Sequence, residues 1–471
     1  MFDKMSTRQS QYNHLLSLLH KHSHRRRAIQ QIHCHLLLTN PLLNHRICLL
    51  VLWNSLIKHY ALGTFPQDAL SLFKYIGNQR NPFSFDTFTY SYLIKACANM
   101  NTPDVGNQLH CLSTKVGFHT NLHVQTALVN MYADSGYLVE ARKVFDEMPE
   151  RNLVTWNVLL TGFVKWGEIG LARAVFDAMP EKNVVSWTGM IDGYTRVNRF
   201  HDALNLFRTM VVHQGIRPTE VTLLALFPSI WNVGSLEFCQ MIHGYTEKSG
   251  LKMMDVRVVN CLIDAYSRSG SIGSAWRVFE DVDDESKNLV SWTSMISAFA
   301  MHGMAAEASH CYKEMENKGV TPNSITFLSV MSACSHGGLV VKGLEFYRKM
   351  VDDYGIVPGI KHYGALIDML GRAGRLEEAE KIALGVAPSE TVVWRTLLGA
   401  CSFHGNVVMG ERVTRRIMEI ELRYGGDYVL LSNIFSAAGR FVDSERVRKM
   451  MDGRNASKLA GITLSTCRDF S

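Results

Sequence analysis

The sequence predicts an all-α protein, a solenoid of antiparallel helix-turn-helix units, on three observations. Residues 153–219 hold two nearly matching segments end to end, LVTWNVLLTGFVKWGEIGLARAVFDAMPEKN (153–183) and VVSWTGMIDGYTRVNRFHDALNLFRTM (184–210). Trp156 and Trp187 are 31 residues apart, as are Phe163 and Tyr194, Ala172 and Ala203, Phe176 and Phe207, and Met179 and Met210. The apolar residues of each copy also fall at helical spacing. Trp187, Met190, Ile191 and Tyr194 share one stripe, and Ala203, Phe207 and Met210 share another. Finally, 471 residues would ordinarily divide into several domains, yet no Gly/Ser/Pro-rich linker interrupts the recurring punctuation. A hairpin of roughly 35 residues cannot bury its own apolar faces, so the copies must stack on one another.

Within a copy, Val197–Phe200 is long enough only for a turn. Arg217-Pro218 is expected to stop the second helix, because the residue before proline is pushed out of the α region. Residues 1–28 are basic and nearly free of acids, as an organellar targeting segment would be. Residues 29–49 read as the second helix of a degenerate repeat followed by a connector, and the apolar run Ile47–Trp53 is too short to span a bilayer. From residue 50 about ten copies follow: 50–86, 87–121, 122–152, 153–183, 184–219, 220–255, 256–288, 289–323, 324–359 and 360–390. Their eleventh position is Tyr60, Cys97, Tyr132, Phe163, Tyr194, Ile230, Tyr266, Phe299, Cys334 and Leu370. Their twentieth is small: Ala69, Gly106, Ala141, Ala172, Ala203, Cys239, Ala275, Ala308, Gly343 and Ala379. Large and small residues at fixed places are what closely packed helices require.

The charge is uneven. Residues 1–67 hold eight Lys/Arg and one acid, for +7, whereas the remainder comes to −1 of the total +6. An array of that composition does not hold a polyanion by bulk charge alone. The ten cysteines include no CxxC pair, and Cys97, Cys334 and Cys401 recur in the contexts KACA, SACS and GACS. They read as small buried helix residues rather than disulfides or metal ligands. Gly371-Arg372-Ala373-Gly374 lacks the lysine and strand of a phosphate loop and reads as an inter-helix turn. Glu377-Glu378 and Asp352-Asp353 read as solvated acids, and His110 and His243 as packing residues. His20, His22 and His24 read as a solvated basic tail, and Asn455-Ala456-Ser457 is a glycosylation sequon by pattern only. No metal and no cofactor is assigned.

The motifs LIKACANMNTPDVGNQLHCLSTKVGF (93–118), ALVNMYADSGYLVEARKVFDEMPERN (127–152) and SWTSMISAFAMHGMAAEASHCYKEMENKGVTPN (291–323) resemble the long, short and ordinary repeats of plant pentatricopeptide-repeat proteins of the mixed-repeat class. That resemblance implies a right-handed superhelical solenoid in which each hairpin faces one nucleotide of single-stranded RNA. The base is read by the fifth residue of the first helix together with the last residue of the repeat. The pairs so assigned are Asn54 with Asp86, Ser91 with Asn121, Thr126 with Asn152, Asn157 with Asn183, Thr188 with Thr219, Asn260 with Asn288, and Thr293 with Asn323. Leu224 with Asp255 occupies the same positions but leaves its base undecided, and Leu328 with Gly359 and Gly364 with Glu390 are poor readers. Amides and hydroxyls suit the work because they offer donors and acceptors to a Watson–Crick edge. Asn is also a good N-cap, which explains Asn152, Asn183, Asn288 and Asn323 structurally, but not Asn54, Asn157 and Asn260 inside a helix. The family's pairing tendencies give 5′-UAAYnnYAnn-3′, with Y a pyrimidine.

Residues 391–458, with GACSFHGN (399–406) and YVLLSNIFSAAGRF (428–441), resemble the E extension of cytidine-to-uridine editing factors, two further helical hairpins that in the family help to dock a deaminase. The tail 459–471 diverges, with Leu464 where relatives usually carry tryptophan. Deamination needs a zinc site with an HxE…CxxC arrangement, and this sequence has neither element. The resemblance therefore implies a non-catalytic specificity factor that works with a DYW-type deaminase in trans, in the mitochondrion or alternatively the chloroplast. The competing expectation is an organellar RNA-binding protein that stabilises, splices or activates a transcript by occupying it. A protein-binding scaffold is a third class, disfavoured by the polar pairs.

Overall fold

The computed structural model describes residues 15–19, 21, 26–39, 46–78, 85–250, 255–386, 390–421 and 424–453. Most of the targeting segment expected over 1–28, the sequon and all of the tail 459–471 lie outside the described residues. Among the described residues every element is a helix, and the helices pair in sequence order. The chain divides into two compact units, residues 1–229 and 230–471, the division falling inside helix Glu220–Val233.

In the first unit, helix Arg46–Leu62 pairs with Gln67–Gly77, and Thr87–Met100 with Pro103–Lys115. Leu122–Asp134, Leu153–Lys165 and Val184–Arg196 each turn back into a shorter helix, Leu138–Glu147, Ile169–Ala178 and Phe200–Arg208. The second unit repeats the plan from Val256–Arg268 with Ile272–Glu280 through Ile360–Arg372 with Leu376–Val386. It ends in two hairpins, Thr391–Phe403 with Val407–Ile420 and Gly425–Ala437 with Phe441–Gly453.

Each hairpin is defined by local chemistry. The turn between its helices needs one left-handed residue, supplied by Gly136 (φ 84°) and Gly167 (φ 79°) in two copies. Asn101 (φ 52°) and Asn198 (φ 59°) supply it in two others, asparagine being the side chain that best tolerates that region. The small residues let helices approach closely. Ala69, Ala141, Ala172, Ala203, Ala275, Ala308 and Ala379 are fully buried. A Cβ on Gly106 would stand 2.6 Å from Met131 Sδ. The eleventh-position residues are all buried too.

Successive hairpins are locked by a repeated aromatic contact. Phe145 meets Trp156 edge-on at 4.7 Å between ring centroids, Phe176 meets Trp187 at 5.0 Å, and Phe279 meets Trp292 at 5.0 Å. A cation from the intervening loop covers the phenylalanine each time: Arg151 at 5.0 Å, Lys182 at 5.3 Å and Lys287 at 4.8 Å. The histidines pack in the same way. His110 Nδ1 lies 3.0 Å from the Tyr132 hydroxyl and His243 Nδ1 lies 3.0 Å from that of Tyr266.

Three expectations are corrected. Phe200 is the first residue of its helix rather than part of the turn. That helix runs into a π-turn over Thr209–His213 and leaves through Gly215 (φ 62°), so it has ended before Arg217-Pro218. Cys97, Cys239, Cys311, Cys334 and Cys401 are buried, but Cys34 and Cys111 are exposed and Cys261 is half-buried. No described helix is long and apolar enough to cross a membrane.

Candidate nucleic-acid interface

The last residue of a repeat is the N-cap of the next first helix, and its side chain is anchored there. Asp86, Asn121, Asn152, Asn183, Asn288 and Asn323 each accept a hydrogen bond from the backbone N–H of the third residue of the helix that follows. The structural role expected of the asparagines is therefore real, and it coexists with a second arrangement. The fifth residue of the preceding first helix lies alongside, so that the two assigned positions form a slot.

In the first slot Asn54 Nδ2 donates to Asp86 Oδ1 (3.0 Å) and Oδ2 (2.9 Å). In the fourth, Asn157 Nδ2 donates to Asn183 Oδ1 at 3.3 Å. A third group joins both slots. The Thr89 hydroxyl donates to Asn54 Oδ1 at 2.6 Å, and the Ser186 hydroxyl to Asn157 Oδ1 at 2.7 Å. The same bridge operates where both readers are short. Thr155 lies 2.9 Å from Thr126 and donates to Asn152 Oδ1 at 2.9 Å. Thr222 lies 2.7 Å from Thr188 and 3.2 Å from Thr219. Thr326 lies 2.9 Å from Thr293 and donates to Asn323 Oδ1 at 3.0 Å.

Not every assigned pair is brought together. Ser91 is buried and donates to the Thr87 carbonyl, while Asn121 caps its own helix; the third residue there is Val124, which has no hydroxyl. Asn260 is 94% buried with Oδ1 lacking a partner, and Ser291 bonds Asn288 instead. Asp255 is held by the Arg257 guanidinium, which keeps its carboxyl below the usual range. The register past Asn323 closes. His362 Nε2 lies 2.8 Å from the Ser324 carbonyl, and Arg395, a fifth residue, is tied to Asp427 (3.0 Å) and Glu421 (2.7 Å) and covers Tyr424.

Two features were missed in the sequence. The bridging Ser/Thr recurs at the third helical position and was visible as the partner of a capping box. The second position of seven copies is a large exposed apolar residue: Val51, Phe88, Val154, Val185, Val221, Val290 and Ile325. It precedes the fifth residue by three and so shares its face. Phe88 and His123, second residues of consecutive helices, lie near-parallel with centroids 6.2 Å apart. Further along the same helices, Lys165 pairs with Asp134 (2.7 Å) and Arg196 with Asp192 (2.6 Å) in a groove of about 260 Å³. A larger cavity, about 420 Å³, lies against the second helices near Arg173 and Thr209, away from the readers.

Sequence models agree with this architecture. The model described as PPR repeat matches residues 51–77, 126–153, 154–184, 257–285, 325–354 and 361–382, and that of the PPR repeat family matches 182–229 and 287–336. A pentatricopeptide repeat-containing protein of Arabidopsis thaliana, named as mitochondrial, is 49% identical over 464 residues, covering 95% of this chain and 92% of its own. The chain belongs to the pentatricopeptide repeat family. A second Arabidopsis thaliana pentatricopeptide repeat-containing protein is 37% identical over 80% of this chain and 71% of its own. In fold, the pentatricopeptide repeat chain is similar to the crystal structure of PPR10 from maize, with TM-score 0.57, 20% identity, and coverage of 87% of this chain and 60% of that one. The E motif model matches residues 404–465, which include the last two described hairpins' ends and turns.

Proposed function

We propose that this pentatricopeptide repeat protein binds single-stranded organellar RNA in a sequence-selective manner and selects cytidines for C-to-U editing by a DYW-type deaminase acting in trans. The observation that carries the reading is the slot. Asn54 with Asp86, Thr126 with Asn152, Asn157 with Asn183, Thr188 with Thr219, and Thr293 with Asn323 are each gathered by a bridging hydroxyl. Three residues before Asn54, Asn157, Thr188 and Thr293 lies an exposed apolar residue that can wall a flat base, and before Thr126 the ring of His123, at a position that packing leaves open to solvent. Packing alone gives no reason for these groups to converge.

The pairs propose 5′-UAAYnnYAnn-3′, read from the N-terminal repeat. The E motif supports the editing branch, and the relative named as mitochondrial supports that organelle. A chloroplast remains the alternative, since another Arabidopsis thaliana relative, 36% identical, is named as chloroplastic.

The test is sequencing of organelle transcripts from plants with and without the protein. Conversion lost at sites preceded by a sequence close to UAAYnnYA supports editing and identifies the organelle. Editing unchanged everywhere, with one transcript shortened or unspliced, replaces it by the occupancy reading.

A further inference from the structure

We propose that the hydroxyl at the third residue of a first helix, where one is present, is a positioning residue that sets the hydrogen-bond polarity of the slot before it, and so decides whether that slot accepts an amino base (adenine or cytosine) or a keto base (uracil or guanine). The inference rests on the RNA reading above and adds to it a group outside the assigned pairs. It follows from counting protons, since a hydroxyl has one.

Consider Thr293, Asn323 and Thr326. Asn323 Oδ1 accepts from the Thr326 backbone N–H (2.9 Å) and from its hydroxyl (3.0 Å), while the Asn323 N–H donates to Thr326 Oγ1 (3.3 Å). When the Thr326 proton goes to Asn323, the 2.9 Å contact between the two threonine hydroxyls uses the proton of Thr293. Thr293 is left with lone pairs only, and Asn323 with the hydrogens of Nδ2. Because the backbone N–H can face only an oxygen, the Asn323 amide cannot be turned round. The slot therefore presents an acceptor at the fifth residue and a donor at the last. That is the complement of an amino base, adenine or cytosine, whose exocyclic amine donates and whose ring nitrogen accepts, and it opposes uracil and guanine.

The first slot is reversed. Asp86 has no proton to offer, and the Thr89 hydroxyl engages Asn54 Oδ1 so that the Asn54 amide nitrogen is the group that faces Asp86 and the opening. Donor at the fifth residue and acceptor at the last complement the carbonyl and ring N–H of a keto base, uracil or guanine. In the fourth slot Asn183 Oδ1 is occupied by the Ser186 N–H (3.1 Å) and by Asn157, leaving Nδ2 as a donor. A donor there meets the ring nitrogen of cytosine and opposes the ring N–H of uracil. The pyrimidine at that position is cytosine.

The experiment uses the full chain and ten-nucleotide RNAs built on UAACnnCAnn, with all four bases placed in turn at the second, fourth and eighth positions. Binding is read by fluorescence anisotropy for the wild type, Thr326→Val, Thr326→Ser and Val124→Thr. Thr326→Val should lose adenine preference at the eighth position by on the order of tenfold, the size of one good base contact, while cytosine preference at the fourth is kept. Thr326→Ser should restore it. Val124→Thr should strengthen adenine preference over uracil and guanine at the second position, a gain that misfolding cannot produce. Adenine preference at the eighth position undiminished in Thr326→Val, or lost there only together with an equal loss of cytosine preference at the fourth, overturns the proposal while leaving RNA reading intact. A wild type indifferent to base at every position overturns both.

Discussion

Asn54 and Asp86 sit 32 residues apart in sequence and are joined by two hydrogen bonds, from Asn54 Nδ2 to Asp86 Oδ1 at 3.0 Å and to Oδ2 at 2.9 Å. One residue belongs to the interior of a helix and the other to the cap of the next, so only stacking of the two hairpins brings them together. The pair gives the first slot a carboxylate that can only accept. Asp86→Asn keeps the cap, because an amide oxygen still receives the Thr89 N–H, but it turns the outer group into a donor. The preferred first base should change from uracil to cytosine, with the ratio of affinities moving by about tenfold or more. Anisotropy titrations with the two RNAs measure it, and retention of the uracil preference would exclude Asp86 from base reading.

The cations along the same face are neutralised by their neighbours. Lys165 contacts Asp134 at 2.7 Å, Arg196 contacts Asp192 at 2.6 Å, and Arg372 contacts Asp368 at 2.8 Å. RNA affinity should therefore fall with salt more gently than the count of Lys and Arg suggests. Asp134→Asn frees Lys165 for a phosphate. The slope of log K against log salt should steepen by ~0.7, the value for one contact to a single strand, and binding should tighten at low salt. An unchanged slope places Lys165 outside the RNA path.

The hairpins were legible in the sequence because each stacking contact is made between residues at a constant spacing. Trp156 and Trp187, written 31 residues apart, perform one task twice. The slots were legible only by resemblance, and only in part. Whether Ser91 reaches its partner depends on Val124, a residue in neither assigned position, and no periodicity marks that dependence. The end of helix Phe200–Arg208 was hidden for a related reason. Proline announces where a helix cannot continue, whereas no residue type marks the π-turn over Thr209–His213, within which Met210 is fully buried.

Close approach of successive first helices should make the array intolerant of one methyl group. A Cβ on Gly162 would lie 2.5 Å from Ala133 Cβ, and neither group can rotate away. Alanine improves intrinsic helix stability by up to about 1 kcal/mol over glycine. Overpacking costs about 1–3 kcal/mol, so Gly162→Ala should be net destabilising. Because a solenoid couples nearest neighbours most strongly, the damage should centre on the slot of Thr126 and Asn152. Thermal denaturation should show a lower midpoint, and base preference at the third position should weaken before that at the eighth. A higher midpoint would mean the hairpins slide apart freely.

Stability should also depend on pH through Asp264, the ninth residue of helix Val256–Arg268. Burial raises its carboxyl to about 6, against the partial relief given by Arg268 and a hydrogen bond from Ser294. A carboxyl whose folded pKa is raised binds its proton more tightly when folded. Its contribution is thus fully present below the unfolded value near 4 and is lost as pH rises through about 6. Ionised Asp264 then destabilises the second unit at neutral pH by up to about 3 kcal/mol, since each pH unit separating the folded and unfolded values is worth about 1.4 kcal/mol. Asp264→Asn should raise the urea midpoint clearly at pH 8, by roughly half as much at pH 5, and not at all near pH 4. A gain independent of pH would instead mean that the amide simply packs better than the carboxylate.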